Sequence, residues 1–201
     1  MGTLKGFPNP PAMVRGEQSS PASHAMTAPA LRPRRLHDVV VERPRLLLVG
    51  INPGLRSGII GHHFAGRGNP FWRLLAASRL TPVLIEPSDD QRLATFGIGL
   101  TNLCPRTTRT AAELSRAEIE SGRATLARKI ARWRPGVVAF VGVSLYAMFF
   151  RRATGGGAGA KPETIAGARV FVVPNPSGLN ASYPGFAHKL VWFKKLRAFL
   201  R

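Results

Sequence analysis

Short apolar runs alternate with amphipathic stretches from about residue 45 to the end of the chain. The runs are six or seven residues long and stop at Gly, Asn or Pro, which is typical of buried strands that lead into turns. They predict four strands, at residues 45–51, 97–103, 136–141 and 168–173. The amphipathic stretches predict four helices, at residues 69–80, 111–133, 144–152 and 186–200.

Local signals refine these boundaries. Asn69 is the expected N-cap of its helix and Pro70 its first residue. Gly122 predicts a break within the helical stretch at residues 111–133. Residues 155–160 consist only of Gly and Ala, which predicts a flexible loop. The last helix is expected to bury one apolar face, formed by Phe186, Leu190 and Phe193. Its cations should lie largely elsewhere, at Lys189, Lys194, Lys195 and Arg197.

The alternation of strands and helices predicts an α/β fold. Parallel strands need crossover connections, so a parallel sheet with helices on both faces is expected. Ligands in such folds bind at the carboxyl ends of the strands, and two of the predicted strands end there in Asn-Pro turns, at Asn52 and Asn175. Residues 1–35 are rich in Pro, Ser, Ala and Gly without periodicity, which predicts a flexible tail before a folded domain at residues 36–201.

The charge of the chain points to a polyanionic partner. Its 29 Lys and Arg residues outnumber 10 Asp and Glu residues, for a net charge of +19. Residues 1–43 contribute six basic and three acidic residues, or +3, which leaves +16 on the remainder. A basic domain gains affinity for nucleic acid by releasing condensed counterions. The alternative, charge that serves only solubility or reflects an Arg-rich codon bias, stays open.

Composition also excludes several classes of protein. The single cysteine, Cys104, rules out an internal disulfide, iron-sulfur clusters and zinc sites built on several thiolates. No apolar run approaches the roughly 20 residues that span a bilayer, and prolines and charges interrupt the N-terminal stretch where a secretion signal would lie. We therefore expect a monomeric cytoplasmic protein without a metal, a cofactor or a membrane partner.

Two motifs carry the chemistry. Gly50-Ile51-Asn52-Pro53-Gly54 leaves the first strand, and Asn175-Pro176-Ser177-Gly178-Leu179 leaves the last. Each alone is an ordinary turn. Together with Phe64, Asn69 and Phe71-Trp72, they resemble the mismatch-specific uracil-DNA glycosylases, relatives of thymine-DNA glycosylase, over about residues 36–200.

The resemblance implies a three-layer α/β/α uracil-DNA glycosylase-like fold with a short parallel central sheet. It also implies a monofunctional DNA repair enzyme that flips uracil, or another mismatched pyrimidine, out of double-stranded DNA and hydrolyses the N-glycosidic bond, leaving an abasic site. Asn52 would hold the attacking water, Phe64 would stack on the base, Asn175 would help to shape the pocket and Leu179 would wedge into the duplex.

These roles define two predicted groups of site residues. The base pocket would comprise Gly50, Ile51, Pro53, Gly54, Phe64, Asn102 and Asn175 around the catalytic Asn52. The wedge, on the minor-groove side, would comprise Pro176, Ser177, Gly178, Leu179 and Asn180. An amide cannot act as an effective base at neutral pH, so modest turnover is expected with Asn at position 52.

Several alternatives remain at the level of sequence. Phe64 could anchor a loop, Leu179 could be a core residue and Asn102 could merely cap a strand, while His62 and His63 are given no role. The basic run at residues 106–109 suits phosphate contacts. A non-enzymatic nucleic-acid-binding α/β domain is the main rival. A phosphate-binding small-molecule enzyme is disfavoured because the chain has no Gly-x-x-x-x-Gly-Lys-Ser/Thr loop.

Overall fold

The computed structural model describes residues 1–2, 33–153, 156–177 and 182–201. The chain divides into two units, residues 1–30 and 31–201, and all elements given below belong to the second unit. The strands are β1 (Leu46–Gly50), β2 (Ile98–Asn102), β3 (Val137–Val141), β4 (Gly159–Ile165) and β5 (Ala168–Val173). The helices are α1 (Leu55–Ile60), α2 (Phe71–Ala77), α3 (Arg116–Trp133), α4 (Val143–Phe150) and α5 (Gly185–Phe199). Two 3-10 segments span Pro87–Phe96 and Ala111–Glu113.

The five strands form one sheet in the order β2-β1-β3-β5-β4. β1 pairs in parallel with β2 and β3, and β3 pairs in parallel with β5. Only β4 runs antiparallel, at the edge beside β5. The predicted α/β class is therefore confirmed, with a mostly parallel sheet.

Two apolar cores lie on opposite faces of this sheet. Because side chains alternate along a strand, Leu46 and Leu48 of β1 face one core while Leu47 and Val49 face the other. Helices α2 and α5 cover the first face, and α3 and α4 cover the second. The protein thus has the predicted three layers, helix, sheet and helix.

Helix α2 is shorter than the predicted residues 69–80. Asn69 stands one position outside the expected cap, although its Oδ1 accepts a hydrogen bond from the Phe71 N–H at 3.0 Å. The helix ends at Ala77, and Arg79 adopts a left-handed backbone conformation with φ of 59°. The apolar periodicity continues to Leu80 because that residue is buried, not because it is helical.

The predicted helix break at Gly122 is wrong. The interruption lies earlier, where Leu114 separates the 3-10 segment from α3, and a capping box between Ser115 and Glu118 starts the helix. Gly122 sits inside α3, where a Cβ atom would lie 2.5 Å from the Leu103 carbonyl oxygen. The glycine allows close packing of α3 on the segment that follows β2.

Three elements were not predicted, β4, α1 and the 3-10 segment Pro87–Phe96, and the position of one cation was predicted wrongly. The expected loop at residues 155–160 overlaps β4, whose alternately exposed side chains give no apolar run. Ala166 and Gly167, both with positive φ, join β4 to β5 as a two-residue hairpin turn. No pattern in the sequence predicted α1 or the 3-10 segment. On α5, Lys189 is buried with 2 % exposure, and does not lie on the exposed face.

Candidate active site

A cavity of about 310 Å³ opens at the carboxyl ends of β1, β2, β3 and β5. The two Asn-Pro turns meet there, as the parallel topology requires. The structure brings together every predicted pocket residue at its walls: Gly50, Ile51, Asn52, Pro53, Gly54, Phe64, Asn102 and Asn175. Their placement agrees with the predicted pocket, and their catalytic roles stay predictions.

The side chain of Asn52 is held in one orientation. Its Nδ2 faces three acceptors that share its two hydrogens: the Pro53 carbonyl at 3.1 Å, the Arg106 carbonyl at 3.1 Å and the Thr108 Oγ1 at 2.7 Å. Carbonyl oxygens only accept, so the atom that faces them must be the NH2 group. The amide oxygen is consequently directed away from these acceptors and remains available to a ligand of the cavity.

Thr108 links Asn52 to the loop after β2. Its buried hydroxyl donates to the Thr110 carbonyl at 2.7 Å, so the same oxygen can accept from Asn52. Its backbone N–H donates to the Pro53 carbonyl at 3.1 Å. Thr108, which sequence reasoning grouped with phosphate-binding residues, is therefore part of the support for Asn52.

Arg106 from the same run is also engaged within the protein. It pairs with the Glu118 carboxylate and donates to the Glu113 carbonyl, which ties the loop to the start of α3. Hydrogen bonds from Arg106, and to a lesser extent from Ser115, together lower the pKa of Glu118 to about 2. Arg109 is exposed and lines the cavity, so it is the member of the run that still suits a phosphate contact.

Phe64 forms an aromatic wall of the cavity. Its ring stacks on Phe71 with centroids 3.8 Å apart and planes inclined by 16°, which leaves the opposite ring face toward the cavity side. Gly50 makes room for this arrangement, because a Cβ atom there would lie 3.3 Å from Phe64 Cζ and 2.5 Å from Asn102 Oδ1. Phe64 thus contacts the core and lines the pocket, so the two alternatives for it are compatible.

His63, to which the sequence gave no role, also lines the cavity and is 2 % exposed. Its Nε2 lies 2.9 Å from the His37 carbonyl and must carry the proton to donate to it. The unprotonated Nδ1 can then accept from Asn102 Nδ2 at 3.5 Å, which orients that amide. Burial lowers the pKa of His63, and this favours the neutral ring that the geometry requires. No sequence spacing signals this pairing; only the position beside Phe64 hints at it.

The second motif contributes a turn that is already internally bonded. Ser177 lines the cavity, and its backbone N–H donates to Asn175 Oδ1 at 2.9 Å. Pro176 is buried. Gly178, Leu179 and Asn180 lie outside the described residues, so their predicted role as a wedge stays a prediction, as do the DNA contacts of Pro176 and Ser177.

The described residues contain no group of three or more His, Cys, Asp or Glu side chains arranged to hold a metal ion. In the same part of the chain, no helix combines the length and the apolar character needed to cross a membrane.

Fold and cavity together define an α/β protein with a ligand site at the carboxyl ends of a mostly parallel sheet. The model of the uracil DNA glycosylase superfamily matches residues 37–200, and the chain belongs to that superfamily. The resemblance seen in the two motifs is thereby confirmed at the level of the family.

Two individual proteins illustrate what the chain is similar to. The chain is 34 % identical over 164 residues to the G/U mismatch-specific uracil DNA glycosylase of Schizosaccharomyces pombe, covering 77 % of this chain and 50 % of the relative. The chain thus spans about half the length of that curated relative. A solution NMR structure of a Methanosarcina acetivorans protein, described as a candidate uracil DNA glycosylase, shares the fold with a TM-score of 0.57 and 18 % identity. The match covers 82 % of this chain and 98 % of that one.

Proposed function

We propose that this protein removes uracil from G·U mismatches in double-stranded DNA by hydrolysing the bond between base and sugar, and that it leaves an abasic site. The fixed carboxamide of Asn52 in the strand-end cavity carries the proposal. Membership of the superfamily and the similarity to the G/U mismatch-specific relative support the substrate.

The size of the cavity suits one base. At about 310 Å³ it lies near the lower end of the roughly 300–1,000 Å³ range of ligand pockets. A base inside the duplex cannot reach such a pocket, so the nucleotide must be flipped out, at a cost of about a few kcal/mol. A mispaired base costs least to extrude, which supplies one source of mismatch selectivity.

The proposed reaction needs a positioned water more than a strong base. As the N-glycosidic bond breaks, the bonding electron pair leaves with the base as an anion and the sugar becomes cation-like. The Asn52 amide oxygen would accept a hydrogen bond from a water and direct its oxygen toward the anomeric carbon. The water adds there, its proton is released, and the base takes up a proton after departure.

The remaining pocket residues would hold the base and stabilise its charge. The free side of Phe64 could stack on the flipped ring, a contact worth on the order of 1 to 3 kcal/mol per base. Backbone N–H groups of the two turns would stabilise the departing anion. The Ser177 N–H is already bonded to Asn175, so the first turn must supply the larger share.

Hydrolysis without strand cleavage follows from the residues of the cavity. None of the described residues that line it is a lysine, so no amine is positioned there to form a Schiff base with the sugar. We propose a monofunctional enzyme that works without a metal. Leu179, with its neighbours in the second motif, would occupy the space that the flipped base vacates.

The test is single-turnover base release. Purified protein in excess, with EDTA, is incubated with labelled duplexes that contain one G·U, A·U or G·T pair, and alkali then cleaves abasic sites. We expect cleavage at G·U that is abolished by Asn52→Ala, with duplex binding largely retained. Gln91→Ala, which removes an exposed carboxamide outside the cavity, is the matched control and should keep full activity.

The same experiment separates the rival function. The net charge of +19 would by itself support a non-enzymatic nucleic-acid-binding domain. Intact strands despite tight duplex binding would establish that alternative. Full activity in Asn52→Ala would refute the assigned role of this residue.

We also propose that the protein acts as a monomer in the cytoplasm, on the DNA held there. Cys104 is buried and burial raises its pKa to about 11, so its thiol is kept protonated, in keeping with a reducing compartment. Sedimentation of the free protein would test the monomer.

A further inference from the structure

A cluster of cations lies at the end of the molecule away from the active-site cavity. A surface depression of about 530 Å³ is found between the carboxyl-terminal ends of α2 and α5. Four of its seven lining residues are cationic, Arg79, Lys194, Arg197 and Arg201, and the other three are Ala or Ser. We call this group the rear basic patch.

The topology places the patch far from Asn52. Arg45, which is electrostatically coupled to Arg197, directly precedes β1, whereas Asn52 follows the other end of that strand. Five strand residues span about 17 Å at roughly 3.3 Å per residue. Lys194 is the tenth residue of α5. Because each helical residue adds about 1.5 Å of length, it lies far along the helix from the amino-terminal end. Lys194 and Arg197 therefore lie toward the opposite end of the sheet from Asn52.

No described acidic side chain pairs with the cations of the patch. None of the four forms an ion pair with any described residue, whereas Arg106, Arg123, Lys129, Arg151 and Arg152 all have carboxylate partners. Arg45 bonds to the carbonyls of Phe96 and Leu80, which leaves the positive charge uncompensated. Burial lowers the pKa of Arg45, and Arg197 lowers it further.

Helix ends alone do not explain this concentration. A cation in the last turn of a helix interacts favourably with its dipole, but one residue per helix is sufficient for that effect. Here four cations surround one depression between two helix ends. Their convergence on a concave surface is the arrangement that binds a polyanion.

The chemistry of the lining favours phosphate over a protein surface. Protein interfaces have an apolar core in which aromatic residues, Met and Arg are enriched, whereas Lys, Ser and Ala are depleted. The patch offers only two alanines as apolar contacts between Arg and Lys side chains, and Arg binds phosphate oxygens in a bidentate manner. The surface therefore suits a nucleic-acid backbone, which presents regularly spaced phosphates.

We propose that the rear basic patch is a second, lesion-independent DNA-binding site, which holds the phosphate backbone of another duplex segment while the first lies at the cavity. One protein would then bridge two segments. Transfer between DNA segments without full release follows from two sites on opposite ends of the sheet.

The test measures stoichiometry by sedimentation velocity, with full-length protein and an excess of an undamaged 20-base-pair duplex at several salt concentrations. Wild-type protein should form a complex with two duplexes. The double variant Arg79→Gln/Lys194→Gln should bind the second duplex about tenfold or more weakly at 0.1 M salt, with a salt dependence shallower by about 1.8, because two phosphate contacts at about 0.9 each are lost.

A matched variant controls for net charge. Arg128→Gln/Arg132→Gln removes the same charge from exposed positions of α3, on the opposite face of the sheet, and should bind two duplexes like wild type. The charge-preserving Arg79→Lys should also retain the second duplex. Thermal unfolding of each variant checks that the fold is intact.

Two results would overturn the proposal: an equal loss in the α3 variant, or unchanged binding of the second duplex in the patch variant. Poly-glutamate serves as the probe for an acidic polypeptide. If only its binding depends on the patch, the partner is protein and not DNA. Binding is measured without base release, so failure here is distinct from failure of the proposed activity, and single-turnover excision from one short G·U duplex should be the same in all variants.

Discussion

The role proposed for Asn52, directing a water, requires that its carboxamide keep one orientation. Three acceptors fix that orientation, and two of them are backbone carbonyls that hold the NH2 group regardless of side-chain changes nearby. The third, the Thr108 hydroxyl, gives the shortest of the three contacts, at 2.7 Å. We therefore propose Thr108 as a positioning residue that acts through Asn52.

Replacing Thr108 by Val tests this link. The side chains have nearly the same shape, but Val cannot accept from Asn52 or donate to the Thr110 carbonyl. We expect single-turnover base release to slow by about tenfold to a hundredfold, since small misplacements of reacting groups have effects of that order. Duplex affinity should remain, and Thr108→Ser, which keeps the hydroxyl, should restore the rate. Equal rates in the Val variant and wild type would show that the two carbonyls suffice.

At the scale of elements, α3 packs closely on the chain after β2, which leads into the loop that carries Thr108. Gly122 permits that contact, because its missing Cβ would otherwise meet the Leu103 carbonyl at 2.5 Å and Cys104 Sγ at 3.2 Å. A backbone carbonyl cannot rotate away as a side chain can. Space at Gly122 is therefore a requirement of tertiary packing, not of helix formation.

We expect Gly122→Ala to destabilise the protein by about 1 to 3 kcal/mol, the usual cost of overpacking a core. An ordinary helical Gly→Ala change would instead stabilise by about 0.5–1 kcal/mol, so the sign of the effect is diagnostic. Ala124→Gly, at an exposed position of the same helix, measures the difference in helix propensity alone. It should lower the free energy of unfolding by about 1 kcal/mol. Denaturant unfolding of both variants checks this, and a more stable Gly122→Ala protein would contradict the tight contact.

The strands show which elements can be predicted from the sequence. The strand at residues 168–173 was predicted with its observed bounds, because an apolar run interrupted only by the exposed Arg169 is sufficient to define a buried strand. β4 has no such run, since it lies at the sheet edge and buries no continuous face. The position of β4 follows from the hairpin turn and from its pairing with β5. Such pairing is a tertiary contact, which a hydrophobic pattern along the chain does not reveal.

At the scale of the whole molecule, burial of His63 connects the pocket to stability. Its backbone N–H donates to the buried Asp90 carboxylate at 3.0 Å, and its ring faces His37 and Asn102. Because burial lowers the pKa of His63 in the folded protein below the ordinary 6.5, the unfolded chain takes up this proton more readily. The contribution of the neutral ring is therefore present above pH 6.5 and is lost as the pH falls below it.

We expect the free energy of unfolding of wild type to decrease between pH 7.5 and pH 5.5, and His63→Gln to show a weaker decrease over that interval. The Gln amide can still donate toward the His37 carbonyl but does not titrate. The same change at exposed His188 is the control. Urea unfolding at each pH gives the comparison, and a parallel pH dependence in His63→Gln and wild type would contradict the prediction.

The sequence by itself determined the α/β class, the core strands and the two Asn-Pro turns. These features depend on local apolar runs and on backbone preferences of Asn, Pro and Gly, which act between neighbours in the chain. Parallel pairing then sufficed to predict that Asn52 and Asn175 approach each other, because equivalent strand ends meet at one edge of the sheet.

Only the tertiary structure decided the partners of those residues. Thr108 reaches Asn52 across 56 positions and His63 reaches Asn102 across 39, and no periodicity in the chain encodes such pairings. The rear basic patch likewise unites helix ends that are more than a hundred positions apart. Hydrogen bonds and charge depend on distance in space, which is fixed only when the strands and helices have packed.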